Sequence, residues 1–166
     1  MVRKARLDLP NYRYHIISRG QRKNPLFFSP DDYNKYLTIL DKVTIENNIF
    51  INSYSLMRNH THLLVLRQDK PLFSFLHRLN TLYAIYFNDK HELVGHVFQG
   101  RPKTFIVTDD NYLYSLLNYI HNNPVKAGIT KTAIKYKYSS AAFYSSRKKP
   151  SFLGNFVFIG GIKLSK

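Results

Sequence analysis

Apolar residues recur at alternate positions, or in short unbroken runs, in five separate stretches of the chain. Both patterns are typical of strands, since alternate side chains of a strand face the same side of a sheet. Only Met57, Arg58 and Asn59 separate the second stretch from the third, so these two stretches are predicted to form a hairpin. The predicted strands are 12–18, 49–56, 60–66, 96–99 and 103–108.

Three other stretches carry apolar residues at helical spacing. Ser29 followed by Pro30 is a typical helix start. The serine side chain can accept a hydrogen bond from a free N–H group of the first turn, and proline has no backbone N–H group that would be left without a partner there. Pro124 cannot donate to the helical hydrogen-bond ladder, so residues 125–128 are expected to form a separate turn closed by glycine. The predicted helices begin at Pro30, at Pro71 and at Asp109 or Asp110, and residues 139–146 form a possible short fourth helix.

The resulting order is strand, helix, strand, strand, helix, strand, helix. This order predicts an α+β fold, a ferredoxin-like or RRM-like sandwich with a central antiparallel sheet and two helices on one face. The third helix would then meet the other face of the sheet. With 166 residues, 44% of them hydrophobic, the chain is predicted to form one domain over 1–166, with a basic C-terminal extension from about residue 129.

His60 and His62 stand two residues apart in the third predicted strand. Their side chains therefore share a face, with Cα atoms about 6.6 Å apart, and two imidazoles at that spacing can bind one cation. The structural alternative is that both are core residues, each with a buried polar partner. The pair predicts a metal site whose third ligand comes from elsewhere. His15, in the first strand, is predicted to be structural rather than catalytic.

The chain carries 25 Lys and Arg against 10 Asp and Glu, a net charge of +15 that favours a polyanionic partner. The 13 Tyr and 12 Phe among the basic residues favour single-stranded nucleic acid, whose bases stack on rings; a solvated surface is the alternative. No segment pairs a basic face with a clean apolar face, so no membrane partner is expected. The basic residues concentrate at the two ends, as Arg3, Lys4, Arg6, Arg13, Arg19, Arg22 and Lys23, and as Lys126, Lys131, Lys135, Lys137, Arg147, Lys148, Lys149, Lys163 and Lys166.

The chain has no cysteine, which excludes disulfides, cysteine-ligated zinc and thiol nucleophiles. Its aliphatic runs are too short to span a bilayer, and no apolar signal core follows the basic first residues. A cytoplasmic protein is expected.

Two motifs together resemble the single-tyrosine transposases. The His60-Thr61-His62 strand is similar to the HUH motif of that family. Residues 118–128, Asn-Tyr-Ile-His-Asn-Asn-Pro-Val-Lys-Ala-Gly, look like the tyrosine-helix signature of its REP-associated branch. The similarity extends over most of the chain to about residue 144, and includes the segments 14–20, 26–28 and 95–101.

This resemblance implies a metal-dependent endonuclease and strand transferase that acts on single-stranded or hairpin DNA through a covalent 5′-phosphotyrosine. Tyr119 falls on the nucleophile position of the family, and His60 and His62 fall on its metal ligands. Asn123 stands where the insertion-sequence members usually have glutamine. The cofactor would be a divalent metal, Mg²⁺ or Mn²⁺.

Three residues depart from the pattern of that family. Thr61 replaces the usual hydrophobic middle residue, Arg58 stands where proline is common, and Asn123 is one methylene shorter than glutamine. None of these changes removes a reactive group. Asn122 or a water molecule is the alternative to Asn123 as third ligand.

The residues predicted to contact DNA are basic, polar or aromatic. They lie in the turn after the first strand, around the bend at 100–102, and at the end of the third helix. A plain hairpin turn explains Gly100 and Pro102 equally well. The predicted contacts are Arg19, Arg22, Lys23, Phe98, Gln99, Arg101, Lys103 and Lys126.

Two other functions are compatible with the same residues. A non-catalytic RRM-like module would bind single-stranded nucleic acid through its basic and aromatic side chains, while the histidines merely pack. A metal-dependent phosphodiesterase would use water as its nucleophile, and so would not need Tyr119. Both a monomer and a homodimer are compatible with the sequence.

Overall fold

The computed structural model describes residues 8–160. Five basic residues of the predicted polyanion-binding ends, Arg3, Lys4, Arg6, Lys163 and Lys166, lie outside the described residues. The strands are β1 Arg13–Arg19, β2 Ile49–Met57, β3 His60–Arg67 and β4 Lys103–Val107. The helices are α1 Pro30–Glu46, α2 Leu72–Lys90, α3 Asp110–Lys126 and α4 Ala141–Ser146, and short 3₁₀ turns occupy Gln21–Lys23 and Ala133–Lys135.

The four strands form one antiparallel sheet in the order β2-β3-β1-β4. This strand order, with helices between β1 and β2 and between β3 and β4, is the ferredoxin-like arrangement predicted from the sequence. Ile17 in β1 pairs with His62 on one side and with Lys103 on the other. The C-terminal half of β1 therefore lies between the histidine strand and the start of β4.

The two faces of the sheet carry different helices. Thr61 points to the face where α1 packs, since its side chain lies near the hydroxyl of Tyr36 of that helix. Helix α2 packs beside α1 on the same face, with the rings of Tyr36 and Tyr83 5.1 Å apart. Helix α3 lies on the opposite face, mainly over β2. The prediction that the third helix meets the histidine face is therefore confirmed.

Asp32 joins the start of α1 to the end of α2. Its carboxylate accepts hydrogen bonds from the backbone N–H groups of Phe28 and Ser29 at 2.7 and 2.9 Å, which caps the helix as the Ser29-Pro30 pattern predicted. The ammonium of Lys90 also donates to it, at 3.1 Å. Burial alone raises the pKa of Asp32, but these hydrogen bonds outweigh burial and lower the pKa to about 2.

Two local predictions were wrong. The stretch 96–99 is not a strand but makes one bridge, Gly20 to Phe98, because Gly95 and Gly100 at its two ends turn the chain with positive φ. Helix α3 does not stop before Pro124 but continues to Lys126. A proline there removes one hydrogen bond of the ladder, and the buried Pro124 ring is held by packing instead.

Residues after 129 pack along the outer edge of β2. The backbone N–H of Leu56 donates to Tyr138 O at 2.9 Å, and Val157 N–H donates to Ile51 O at 2.9 Å. Phe156 and Tyr144 are buried in the core there. These contacts satisfy backbone groups that an edge strand would otherwise leave open. In the described part of the chain, no helix is both long and apolar enough to cross a membrane.

Candidate active site

His60 and His62 lie on the same face of β3, at the end of the strand next to the β2-β3 turn. Their ring centroids are 5.0 Å apart and the rings are nearly perpendicular. The Nδ1 atom of His60 lies 2.7 Å from Asn59 Oδ1, and because an amide oxygen only accepts, this ring nitrogen is the donor. The Nε2 atom of His60 is thereby left with its lone pair.

His62 is held from the side by His15 of β1. Its Nδ1 atom lies 2.9 Å from His15 Nε2, and the two rings are within 16° of coplanar with centroids 5.2 Å apart. With this geometry the two rings meet edge to edge, and a single proton lies between the two nitrogen atoms. When His62 Nδ1 donates this proton, its Nε2 atom keeps a lone pair for a ligand.

The three histidines are uncharged at neutral pH. Burial lowers the pKa of His62 to about 3, with His15 and His60 adding to the effect, and burial lowers the pKa of His15 to about 4. Burial and then the charge of Arg19 lower the pKa of His60. Neutral imidazole is the form that binds a metal ion.

Tyr119 reaches this cluster from α3. Its ring centroid lies 5.5 Å from that of His62, with the rings perpendicular, and 6.2 Å from that of His15. The residue is 41% exposed, so part of it is open to solvent. The ammonium of Lys126, two turns later, lies 5.2 Å from the ring centroid and adds positive charge.

His121 fixes α3 to the sheet on the side away from Tyr119. Its Nε2 atom lies 3.0 Å from Ser53 Oγ and 2.8 Å from Ser140 Oγ, and the residue is fully buried. His121 therefore packs as a structural residue and does not belong to the open cluster. Because His121 is two positions after Tyr119, this anchor also sets which side of α3 faces the histidines.

In the described part of the chain, no third histidine or acidic side chain joins His60 and His62 to complete a metal site. Among residues 8–160, no group of three or more histidine, aspartate or glutamate side chains could hold a metal ion. Asn123 lies one turn after Tyr119 and donates its amide hydrogen to Tyr119 O at 3.1 Å. Asn122 likewise donates to Asn118 O at 2.9 Å. A third ligand therefore has to be an amide oxygen, water or a group of the substrate.

The two histidines nevertheless fit a divalent cation. Both are neutral, both lie on one face, and each has its Nδ1 atom engaged by a second residue, Asn59 or His15. A metal-binding histidine commonly has its second nitrogen bonded in this way. Thr61 between them is fully buried on the opposite face, where its hydroxyl faces Tyr36.

The predicted DNA contacts lie in three places in the structure. Five of them line one cleft of about 340 Å³ beside the end of β1: Arg19, Phe98, Gln99, Arg101 and Lys103. Arg22 and Lys23 lie in the exposed 3₁₀ turn that follows β1, both with positive φ, and Lys126 lies beside Tyr119. The cleft adjoins the histidines, because its residues Ile17 and Arg19 are the β1 partners of His62 and His60.

His15 is the site residue whose role sequence reasoning missed. The prediction of a structural residue is compatible with its burial, but the bond to His62 gives it a specific position in the site. The sequence did contain a signal for this role. His15 and Ile17 are two residues apart, so they lie on the same face of β1. Only the register between β1 and β3 shows that this face is the histidine face.

Comparisons with known proteins agree with this fold. Residues 8–123 match the family described as IS200-like transposases. A REP-associated tyrosine transposase solved with a REP hairpin has a similar structure, with a TM-score of 0.73 and 17% identity over 89% of this chain and 87% of that chain. A protein assigned as a transposase from Deinococcus radiodurans R1 has a TM-score of 0.50 and 15% identity over 74% of this chain and 95% of that chain. No curated protein matches in a sequence search. The chain therefore belongs to the IS200-like transposase family, and it is a DNA transposase with the α+β fold predicted from its sequence.

Proposed function

We propose that this transposase cuts and rejoins single-stranded DNA beside a hairpin, through a covalent bond between Tyr119 and a 5′ phosphate. The observation that carries the proposal is the position of Tyr119. This tyrosine is exposed, and its ring centroid lies 5.5 Å from that of His62, which is buried and neutral. A structural tyrosine has no need of such neighbours. The REP-associated branch is the part of the family we assign, and the similar structure with a bound REP hairpin supports hairpin DNA as the substrate.

The reaction is a transesterification. The Tyr119 oxygen attacks the scissile phosphorus in line with the 3′ oxygen, and the new bond forms as the bond to the 3′ oxygen breaks. The phenol loses its proton and the leaving 3′ oxygen gains one. The phosphotyrosine keeps the energy of the phosphoester, so a 3′ hydroxyl can reverse the step and join strands without ATP.

His60, His62 and Asn123 would hold a divalent cation, Mg²⁺ or Mn²⁺. Such a cation, when bound, polarises the phosphoryl oxygens and offsets the charge that develops on them. Asn59 and His15 hold the two rings so that each Nε2 lone pair faces outward. His15 therefore acts as a positioning residue for His62, and it does not touch the reacting atoms.

The DNA strand follows positive charge on both sides of the histidines. Arg19, Arg101 and Lys103 line the cleft beside β1, and Lys126 stands at the Tyr119 ring. Arg22 and Lys23 extend the basic surface along the exposed turn. Binding should prefer single-stranded or hairpin DNA to blunt duplex and weaken steeply as salt rises, because phosphate contacts release counterions.

The remaining assignments follow the sequence. Residues 1–166 form one HUH transposase-like domain, whose part from about 129 is the basic C-terminal region. The cysteine-free composition suits a reducing cytoplasm, where we place the protein. Both a monomer and a homodimer are compatible with this proposal.

A covalent-adduct assay tests the proposal. Labelled hairpin DNA with single-stranded flanks is incubated with protein and Mn²⁺, and denaturing gels should show a cut strand and a protein-DNA adduct. Mass spectrometry should place the nucleotide on Tyr119. Tyr119→Phe should lose both products and keep its DNA affinity, whereas Tyr112→Phe, a similarly exposed tyrosine about 10 Å along the same helix, should keep them.

The other outcomes of this assay point to the alternative functions. Cutting by Tyr119→Phe without an adduct would mean that water is the nucleophile. DNA binding without either product, at every metal tested, would mean a non-catalytic module. An adduct on another residue would refute the assignment of Tyr119.

A further inference from the structure

Arg19 is the last residue of β1 and pairs with His60 of β3. The preceding pair is Ser18 with Thr61, and Thr61 lies on the face toward α1. Because side chains alternate along a strand, Arg19 and His60 point to the opposite face, where Tyr119 lies. The guanidinium group of Arg19 therefore belongs to the same surface as the two site histidines.

This pairing brings the side chains of Arg19 and His60 close together. Gly20 N–H donates to Asn59 O at 2.9 Å, so the pair one position earlier, Arg19 with His60, is not joined by backbone hydrogen bonds. Cα atoms of such an antiparallel pair lie about 4.5 Å apart, closer than in a hydrogen-bonded pair. Burial is the main cause of the lowered pKa of His60 and of His62, and the charge of Arg19 adds to it in both.

The backbone around Arg19 is fixed on both sides. Its carbonyl oxygen accepts a hydrogen bond from Gln99 N–H at 2.8 Å, and Gly20, the next residue, leaves no room for a side chain. Asn59 binds Gly20 N–H through its carbonyl oxygen, and its side chain holds Nδ1 of His60 at 2.7 Å. The contacts that hold the start of the Arg19 side chain are thus linked to those that orient His60, and both are formed before a ligand arrives.

Arg19 differs from the basic residues that form ion pairs. Arg67 binds Asp8 at 2.8 Å, and Lys90 binds Asp32 at 3.1 Å. In the part of the chain that the structure describes, no carboxylate pairs with Arg19. The residue is exposed and lines the cleft of about 340 Å³ that adjoins the histidines. Its charge is therefore available to an anionic group of a ligand.

The scissile phosphate is an anionic group whose charge grows during the proposed reaction. The bond from the Tyr119 oxygen to phosphorus forms as the bond to the 3′ oxygen breaks, the phenol loses its proton and the 3′ oxygen gains one. A guanidinium group keeps all its protons throughout, and it can donate two parallel N–H bonds to a phosphate. Such donors accelerate a reaction most when they are already aimed at the atoms on which charge develops.

We infer that Arg19 is a catalytic residue. Its guanidinium group donates to a non-bridging oxygen of the scissile phosphate and stabilises the charge that develops there as Tyr119 attacks. The inference rests on the proposed function, because it takes the transesterification as the reaction. It differs from a contact with the DNA backbone alone, since loss of Arg19 should slow the reaction even when every protein molecule carries DNA.

Single-turnover cleavage at saturating hairpin DNA tests the inference, with the adduct resolved on denaturing gels. Arg19→Ala should form the Tyr119 adduct about a hundredfold or more slowly than wild type. Arg19→Lys should recover only part of the rate, because an ammonium group keeps the charge and lacks the planar fork. Arg78→Ala is the matched control and should keep the wild-type rate, since Arg78 is an exposed arginine of α2 paired with Glu46 at 3.6 Å.

Sulfur at the scissile phosphate locates the contact. Each non-bridging oxygen is replaced in turn, which gives two isomers of the substrate. One isomer should slow the wild-type protein about tenfold, because sulfur is a poor acceptor for the guanidinium group. The same isomer should slow Arg19→Ala less than about twofold, because the contact is already gone. Comparing the two proteins cancels the effect of sulfur on a bound metal ion.

Mn²⁺ affinity without DNA separates a catalytic role from support of the histidines. Electron paramagnetic resonance should show that Arg19→Ala binds Mn²⁺ at least as well as wild type, because removal of a nearby positive charge favours a cation. Weaker Mn²⁺ binding, a wild-type rate at saturating DNA, or equal sulfur effects in the two proteins would overturn the role of Arg19 and leave the Tyr119 reaction in place. If wild-type protein forms no adduct, the proposed function is wrong and this inference is wrong with it.

Discussion

The two faces of the sheet are built from the same four strands and have opposite characters. On the face toward α1 and α2, Ile16, Leu63 and Tyr54 are fully buried in an apolar core. On the face toward α3, the neighbouring positions Ile17, His62 and Ser55 form a partly polar surface. The difference arises from coverage: two helices close one face, whereas α3, with Ser140 and Tyr144 behind it, covers mainly the β2 side of the other.

Tyrosines show what this difference does to a functional group. Tyr36 on the two-helix face is fully buried, and burial raises its pKa to about 12. Burial also raises the pKa of Tyr54. Such phenols stay protonated and have no access to a substrate. Tyr119 is exposed and lies beside neutral histidines, so the half-covered face is where a tyrosine can react.

The largest expected effect comes from removing a histidine of the half-covered face. His62→Ala should reduce cleavage about a thousandfold or more, because the proposed mechanism makes His62 a metal ligand beside the nucleophile. DNA affinity should stay within about threefold, since phosphate contacts set it. Gel assays of cleavage and fluorescence titrations of binding measure the two effects. Equal loss of both would show that His62 supports the fold or the DNA contact instead.

The adjacent residue on the closed face should behave in the opposite way. Leu63→Ala should lower the free energy of unfolding by about 2 to 5 kcal/mol, because it leaves a cavity between the sheet and the helices. Cleavage per folded molecule should stay near wild type. Urea unfolding followed by circular dichroism measures the stability. Normal stability in this variant would contradict the assignment of the two faces.

His15 lies on the half-covered face yet is nearly as buried as the core, so it tests where the site ends. His15→Leu should lower Mn²⁺ affinity about 10- to 100-fold, because His62 loses the acceptor that orients its ring. His15→Gln should restore most of the affinity, since an amide oxygen can accept the same hydrogen bond. Titration followed by electron paramagnetic resonance of free Mn²⁺ measures the affinity. Equal affinities in the two variants would mean that His15 only fills space.

The smallest effect concerns Asp32, which joins the two helices of the closed face. Its folded pKa is about 2 against an ordinary value of 3.8, so its carboxylate stabilises the fold above about pH 3.8, and this contribution is lost as the pH falls toward 2. Asp32→Asn should lower the free energy of unfolding by about 1 to 3 kcal/mol at pH 7. The difference from wild type should shrink below pH 3.8.

A matched control for Asp32 is its neighbour. Asp31 is in the same first turn, but its side chain is 81% exposed. Asp31→Asn should change the free energy of unfolding little at any pH, as expected for a surface charge. Denaturant unfolding at several pH values compares the two variants. A pH-independent difference for Asp32→Asn would mean that packing, not the carboxylate charge, holds the helices.

Local patterns were enough for much of the fold. Alternation identified β1, β2 and β3, and the Ser29-Pro30 start of α1 follows from capping chemistry that involves neighbours in sequence. The pairing of the two histidines on one face needs only the two-residue period of a strand. Residues two apart on a helix point to different sides, which agrees with the different surroundings of Tyr119 and His121 on α3.

Predictions failed where packing outweighs a local preference. Pro124 usually ends a helix, yet α3 continues past it, because the buried ring gains packing contacts that offset one lost hydrogen bond. The segment 96–99 has a strand-like sequence but makes only one bridge, since the glycines at its ends bend the chain away from the sheet.

The sequence by itself pointed to the residues to which we assign the chemistry: the histidine pair, the tyrosine of the third helix and the excess of positive charge. Each is a property of residue type and of spacing within one element. The tertiary structure decided how these residues meet, because that depends on contacts between residues far apart in the chain. The register of β1 against β3 brings His15 to His62, and the bonds of His121 turn Tyr119 toward them. Packing of α2 beside the 95–101 segment creates a cleft of about 800 Å³, which no local pattern along the chain encodes.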